Sequence, residues 1–334
     1  MLHEIRLPRR SRQFLPGLLI MISLVAMLFR TASVSAAIIV NDTWQDGTDS
    51  DPASPIYSEY GVDGDSDADL ESAWFQGGAG SLDPVGAGGP ERGNLTSGGT
   101  SSASWTTYFT PEATPISLSN AGDKMIVTWA FKLTNVGANN TSQNFRFAVI
   151  DSPSTTRISA NGTPGSGAYT GYGVFANMSS GTLGNNNPFQ LRERVVSGDL
   201  LSTSGNWGAN GVANAGLANG ATSGNTGYAA NTTYTMTMAF TRTLANELQI
   251  DGSMVGGSLN NSGTASFSVV DSSPNGGSFS FDTFGIRPSG ATTTAELFDT
   301  SLFRVEFVPV PEPVSLALIG LSVAALGLVC RRSR

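Results

Sequence analysis

Apolar and polar residues alternate with period two along much of this chain. Within residues 124–133, Met125, Val127, Trp129, Phe131 and Leu133 fall on one face, and within 144–150, Phe145, Phe147 and Val149 do so. Within 232–241, Tyr234, Met236, Met238 and Phe240 alternate with Thr233, Thr235, Thr237 and Ala239, and within 302–308, Phe303, Val305 and Phe307 alternate with Arg304 and Glu306. Successive side chains of a strand point to opposite faces, so this spacing predicts strands with one buried and one wet face. Further strands are expected over 38–44, 72–75, 104–109, 170–177, 189–195, 247–251, 266–270 and 278–287. Asp251-Gly252 is a strong turn dipeptide and predicts a hairpin joining 248–250 to 253–255. No stretch of 37–308 holds a helical period. Many short strands separated by Gly, Asn and Ser turns predict an all-β fold, an antiparallel β-sandwich of two packed sheets. Residues 77–103 and 197–230, rich in Gly, Ser, Asn and Ala, read as long loops.

The two ends follow a different pattern. Arg6, Arg9, Arg10 and Arg12 precede an apolar run over 14–29, and Val34-Ser35-Ala36 places small residues where a signal peptidase cuts. Residues 1–36 therefore read as a secretory signal peptide cleaved after Ala36, with Ala37 as the alternative. At the other end Pro309, Pro311 and Pro313 lack N–H donors and keep 309–313 extended. The apolar run 314–329 can form a transmembrane helix of roughly 24 Å, short for a hydrocarbon core of about 30 Å. The basic tail 330–334 would stay on the cytoplasmic side.

Pro311-Glu312-Pro313, the Leu/Ala/Gly-rich apolar run and Arg331-Arg332-Ser333-Arg334 together resemble the PEP-CTERM sorting signal of Gram-negative bacteria. The resemblance implies Sec-type export, passage through the inner membrane on the C-terminal helix, and processing by an exosortase near Pro311, Glu312 and Pro313, with Arg331 and Arg332 as the retaining charges. The destination it implies is the cell surface or the extracellular polymer matrix. In the body, residues 234–240 followed by Glu247-Leu248-Gln249-Ile250-Asp251-Gly252 resemble the late strands of concanavalin A-like and laminin-G-like jelly rolls. Residues 297–307 are similar to the last strand of that fold, which returns to pair near the first. The body, 37–308, is on this resemblance a concanavalin A-like jelly roll lying between the signal peptide and the sorting segment 309–334.

Charge sharpens the reading once the ends are set aside. Five of the 18 basic residues lie in the leader and three in the tail, while only Glu4 and Glu312 of the 26 acids lie outside the body, so the body is near −14 against −8 for the whole chain. That balance disfavours nucleic acid and anionic lipid surfaces as partners. The only histidine is His3 and the only cysteine is Cys330, both outside the body. The body can therefore build neither a Ser-His-Asp or Cys-His centre nor a disulfide.

Three kinds of site remain. Asp63, Asp65, Asp67, Asp69 and Glu71 alternate as acids on a flexible stretch and could converge on Ca²⁺, which takes six to eight oxygens, although Ala68 stands where a calcium loop has glycine and Trp74 where it has its last acid. Glycoside hydrolysis needs two carboxyls about 5–9.5 Å apart. Glu247 and Asp251 on one strand face would be roughly 13 Å apart, and Glu193 between Arg192 and Arg194 reads as a surface charge pair, so no enzyme is expected. Trp207, Tyr228, Tyr169 and Tyr172, in or near loops, are the candidate stacking platforms for carbohydrate. The expectation is an exported structural or adhesive protein of an extracellular matrix or biofilm. The alternative is a lectin-like module for extracellular polysaccharide, with calcium as a candidate cofactor, and a glycoside hydrolase stands last.

Overall fold

The computed structural model describes residues 35–49, 69–98, 102–209, 212–213, 216–277 and 279–310. The strands are β1 (Ala37–Asp42), β2 (Trp74–Gly78), β3 (Ser81–Pro84), β4 (Glu91–Asn94), β5 (Ala103–Tyr108), β6 (Ile116–Ser117), β7 (Lys124–Val136), β8 (Phe145–Asp151), β9 (Thr170–Ala176) and β10 (Phe189–Arg194). They continue with β11 (Trp207–Ala209), β12 (Val212–Ala213), β13 (Ala218–Asn219), β14 (Thr233–Leu244), β15 (Glu247–Val255), β16 (Thr264–Asp271), β17 (Ser280–Phe281), β18 (Thr283–Ser289) and β19 (Ala295–Val308). Every ladder between these strands is antiparallel.

An eight-stranded sheet runs β16-β15-β14-β7-β19-β4-β3, with β1 also on β19. A nine-stranded sheet runs β12-β11-β10-β9-β8-β18-β5-β2, with β13 on β10, and β17 and β6 form a small third pair. The all-β antiparallel sandwich expected from the alternation is the observed fold. The closing strand pairs with the opening one, Asp42 facing Phe303.

The core lies between the two large sheets and is aromatic. Met125, Val127, Trp129, Phe131 and Leu133 of β7 are all fully buried, and burying side chains of this kind is worth about 1.5–3 kcal/mol each before entropy is charged. Trp129 stacks on Phe131 at 4.1 Å and meets Phe145, Phe147 and Phe284 of the opposite sheet at 6.0, 6.3 and 5.8 Å. Its indole N–H donates to Thr300 Oγ1 at 3.0 Å, so the ring is buried without an orphaned donor.

Two expectations are corrected. Asp251-Gly252 makes no hairpin: β15 runs straight through it, and Gly252 pairs with Phe267 of β16. A Cβ on Gly252 would lie 2.2 Å from the Phe267 ring, so the glycine is there to seat an aromatic from the neighbouring strand. The turn falls instead between Leu244 and Glu247. The stretches read as loops carry strands as well, β3 and β4 in the first and β11, β12 and β13 in the second. In β4 the strand is glycine-bearing because Trp105 occupies the space a Cβ at Gly93 would need.

The expected signal helix, the transmembrane helix 314–329 and the tail lie outside the described residues. No helix among the described residues is long and apolar enough to cross a membrane.

Two ion pairs should behave differently. Arg157 Nη2 meets Asp282 Oδ2 at 2.8 Å with both side chains buried, and Asp282 also accepts from the Ser152 N–H. Asp282→Ala should cost about 3–5 kcal/mol in urea unfolding, because it strands a buried cation. Glu306→Ala, which breaks the half-exposed Arg304–Glu306 pair, should cost under about 1 kcal/mol.

Candidate functional site

The outer face of the nine-stranded sheet carries what the inner face does not. Alternation sends Phe147, Val174, Leu191 and Ile286 into the main core, and the residues between them outward. Arg287 of β18 faces Arg146 of β8, which faces Phe175 of β9, which faces Gln190 of β10. The Phe175 ring is held between two guanidinium groups, Arg146 at 4.8 Å and Arg192 at 4.5 Å. Gln143 and Gln190 fix Arg192 from the side, each accepting from it at 2.8 Å. A second, smaller apolar cluster forms here from Ala148, Ile150, Tyr169, Phe175, Leu200, Leu201 and Trp207.

The loop after β10 is laid over this face by the arginines. Arg194 Nη1 donates to the carbonyls of Asp199 and Leu200 at 2.6 and 2.9 Å. Arg146 Nη1 donates to those of Leu201 and Ser202 at 2.7 and 2.8 Å. Asp199 ties the loop to its neighbours, accepting from Ser166 Oγ and Thr203 Oγ1. Hydrogen bonds from Ser202, Thr203 and Ser166 hold its carboxyl below the usual aspartate range.

Between this loop, residues 163–164 and the strands β5 and β18 is a pocket of about 180 Å³. Leu200, Leu201, Pro164 and Ala103 supply apolar walls; Ser102, Ser104, Thr163 and Ser202 supply hydroxyls, and Asp199 and Arg287 supply charge. Arg287 is steadied by a bond from Nη2 to Ser102 Oγ at 2.6 Å. Apolar walls with a few polar groups of both kinds suit a ligand that has an apolar face and a hydroxylated rim.

The aromatic residues expected to stack on sugar are elsewhere. Trp207, Tyr228, Tyr169 and Tyr172 are 0%, 2%, 3% and 1% exposed, so none presents a face to solvent. Trp207 lies over Gly173, meets Phe175 at 5.6 Å and is covered by Arg194 at 5.2 Å. The Tyr172 hydroxyl donates to Asp271 Oδ2 inside the main core, and Tyr228 packs on Tyr234 at 4.9 Å. Tyr169 donates to the Gly165 carbonyl. The physical reason is common to all four: in Gly/Ser/Asn-rich segments these rings are the chief apolar surface available to anchor the backbone. Glu193 is also not a surface charge. It is 1% exposed and points inward, accepting from the Asn275 N–H, while Arg192 and Arg194 point outward.

Of the residues expected to hold calcium, Asp63, Asp65 and Asp67 lie outside the described residues, as do Pro311, Glu312, Pro313, Arg331 and Arg332 of the sorting segment. Asp69 and Glu71 are buried, and Asp69 Oδ2 accepts from the Thr43 N–H and Oγ1 at 2.8 and 2.9 Å. Among the described residues no three acidic side chains converge as a metal site. Two other acids, Asp42 and Glu91, are buried in the eight-stranded sheet. β1 and β4 lie along the same edge of β19, with Asp42 opposite Phe303 and Glu91 opposite Thr300. Burial raises the Asp42 carboxyl to about 7 against bonds from Ser72 and Trp44. Burial, then the charges of Asp49, Asp42 and Asp83, raise Glu91 to about 9. Ala36 and Ala37 at the expected cleavage point are exposed, and Ala37 pairs with Phe307.

No protein-family model matches this chain, and no curated protein matches it. Among solved structures the chain is similar to the Emp47p carbohydrate recognition domain, with 15% identity over 84% of this chain and 99% of that one and a TM-score of 0.43. It is also similar to peanut lectin, with 10% identity over 72% and 100% and a TM-score of 0.38. A third likeness is to the VIP36 exoplasmic/lumenal domain in its Ca²⁺/Man3GlcNAc-bound form, with 9% identity over 71% and 85% and a TM-score of 0.35. The sandwich architecture of this chain stands on its own sheet order and register, and no ligand of these proteins is carried over to it by these likenesses.

The raised carboxyls give stability a definite pH dependence. A carboxyl whose native pKa lies above its unfolded value binds its proton more tightly when folded, so its contribution is full below about 4.5 and is lost as pH rises towards about 9. Urea unfolding from pH 5 to pH 9 should therefore show stability falling with pH, with a shallower fall for Glu91→Gln. Identical slopes for the two proteins would show that Glu91 is not the group responsible.

Proposed function

We propose that this protein is an exported, non-catalytic, lectin-like module that binds extracellular polysaccharide, displayed at the cell surface or in the extracellular matrix. The observation that carries this reading is the pocket under the loop after β10. Its walls pair Leu200, Leu201 and Pro164 with the hydroxyls of Ser102, Ser104, Thr163 and Ser202 and the carboxylate of Asp199. A pyranose has the matching chemistry, with C–H groups for the apolar walls and hydroxyls that both donate and accept. The non-catalytic part of the proposal is supported by a histidine-free body and by Asp199 being the only acid among the described residues that line the pocket, where glycoside hydrolysis uses a pair.

The leader and the Pro-Glu-Pro segment supply the export half of the proposal. A Sec-type leader would carry the chain through the inner membrane, and an exosortase would release or re-anchor it near Pro311, Glu312 and Pro313. The purely structural or adhesive matrix role is the reading that remains if no saccharide is bound.

Two measurements bear on this. Ser104→Phe would fill the pocket from the outer face of β5. On a glycan array the substituted protein should lose at least about tenfold in signal, a difference of about 1.4 kcal/mol, with an unchanged melting temperature. Mass spectrometry of the mature protein should find its C-terminus near Pro311–Pro313, and a mature protein that ends in Arg334 in the inner membrane would overturn the sorting half.

A further inference from the structure

The arginines of the outer face are left without acids. Among the described residues the ion pairs are Arg92–Asp299, Arg157–Asp282 and Arg304–Glu306, so Arg146, Arg192 and Arg287 have no carboxylate partner there, while Arg194 feels the charge of Asp199 without an ion-pair contact. This is unexpected in a body whose acids outnumber its bases by more than two to one. Arg287 and Arg146 are direct cross-strand neighbours, and like charges facing each other across an antiparallel ladder destabilise it. Burial, then the charges of Arg287 and Arg192, lower Arg146 to about 9. Their polar contacts go to neutral oxygens. Arg146 reaches the carbonyls of Gln143, Leu201 and Ser202. Arg287 reaches Ser102 Oγ and, at 3.5 Å, the Asn144 carbonyl. Arg287 Nε and Ser104 Oγ have no hydrogen-bond partner, and both residues line the pocket. The sheet thus holds one positive charge at the pocket wall, Arg287, and a second behind it on the neighbouring strand, Arg146; among the described residues the one acid lining the pocket is Asp199, whose oxygens already accept from Ser166 and Thr203.

We propose that the saccharide taken by this pocket is anionic: a uronic-acid-bearing polysaccharide whose carboxylate lies against Arg287, with Arg146 behind it. This rests on the reading of the pocket as a saccharide site and adds the charge of the sugar to it. The ring of the uronate lies on Leu200 and Leu201, its hydroxyls meet Ser202, Thr163 and Asp199, and its carboxylate neutralises the cross-strand arginine pair. An arginine fork suits a carboxylate better than an ammonium does, because its donors are planar and paired. The acidity of the rest of the body repels polyanions at long range, so binding of one must come from a local cationic site.

The test is calorimetric titration of the protein with polygalacturonate, neutral dextran and sodium sulfate, using wild type, Arg287→Gln and Arg287→Lys. The melting temperature of each variant serves as the control for folding. Polygalacturonate should bind at least about tenfold tighter than dextran, and Arg287→Gln should lose about ten- to a hundredfold of that affinity, the range for a charged hydrogen-bonded contact. Arg287→Lys should recover only part of it. Equal affinity for polygalacturonate and dextran, or an Arg287→Gln variant that binds polygalacturonate like wild type, overturns the proposal while leaving a saccharide site. Sulfate binding without either polysaccharide overturns both the proposal and the saccharide reading, leaving a simple anion site. If Arg287→Gln fails to fold, the wild-type comparison of polygalacturonate with dextran still decides the matter.

Discussion

The aromatic layer between the two sheets is the constraint from which the other features follow. Trp129 sits at its centre, in contact with Phe131 on its own strand and with Phe145, Phe147 and Phe284 on the facing sheet. Flat rings at tilted and edge-on angles fill the space between sheets while leaving few polar atoms to satisfy. The layer extends outward through Phe298, which meets Phe131 and Trp105 at 5.9 and 5.5 Å, and through Phe303, which stacks on Phe284 at 5.1 Å. Because these rings come from β5, β7, β8, β18 and β19, register errors in any of those strands would turn an aromatic out to water and a polar residue in.

With the inner face committed to this layer, the outer face of the nine-stranded sheet is free to carry chemistry. Apart from Glu193, strands β8, β9, β10 and β18 are largely apolar on their inner side and carry arginines, glycines and Phe175 on the other. Guanidinium groups are suited to this, since they stack on Phe175 and Trp207 and still donate to loop carbonyls. Arg146, which holds the loop after β10, is the cross-strand neighbour of Arg287, which lines the pocket beneath it. Scaffold and site are not separable here: the arginines hold the loop, and the loop makes the pocket.

At the opposite sheet the sign is reversed. Asp42 and Glu91 are buried along one edge of β19, and their neighbours are other carboxylates. The body thus divides its charge into an arginine-bearing face on one sheet and an acid-rich edge on the other. The overall balance read from composition describes the second and conceals the first.

The period-two pattern was sufficient to place the long strands, because a strand half in water must alternate. Most of β7 and β14 and the second half of β19 were visible in that alternation, while the return of the last strand to the first was implied by the resemblance to a jelly roll. Composition was a poorer guide wherever glycine stood in a strand. Gly252 and Gly93 look like turn residues in sequence, yet each is a place where a neighbouring aromatic needs the room of a missing side chain, and only the packing of two strands shows that. Aromatic residues in polar segments were misjudged for a related reason. Trp207 and Tyr169 have the same local sequence whether they face a ligand or anchor a loop, and the outcome depends on whether another layer lies over them. Arg146, Arg192, Arg194 and Arg287 are scattered over more than a hundred positions of the chain. Their meeting on one face is a consequence of strand order, β10-β9-β8-β18, which local sequence does not encode because it is set by which sheets close over the shared aromatic core.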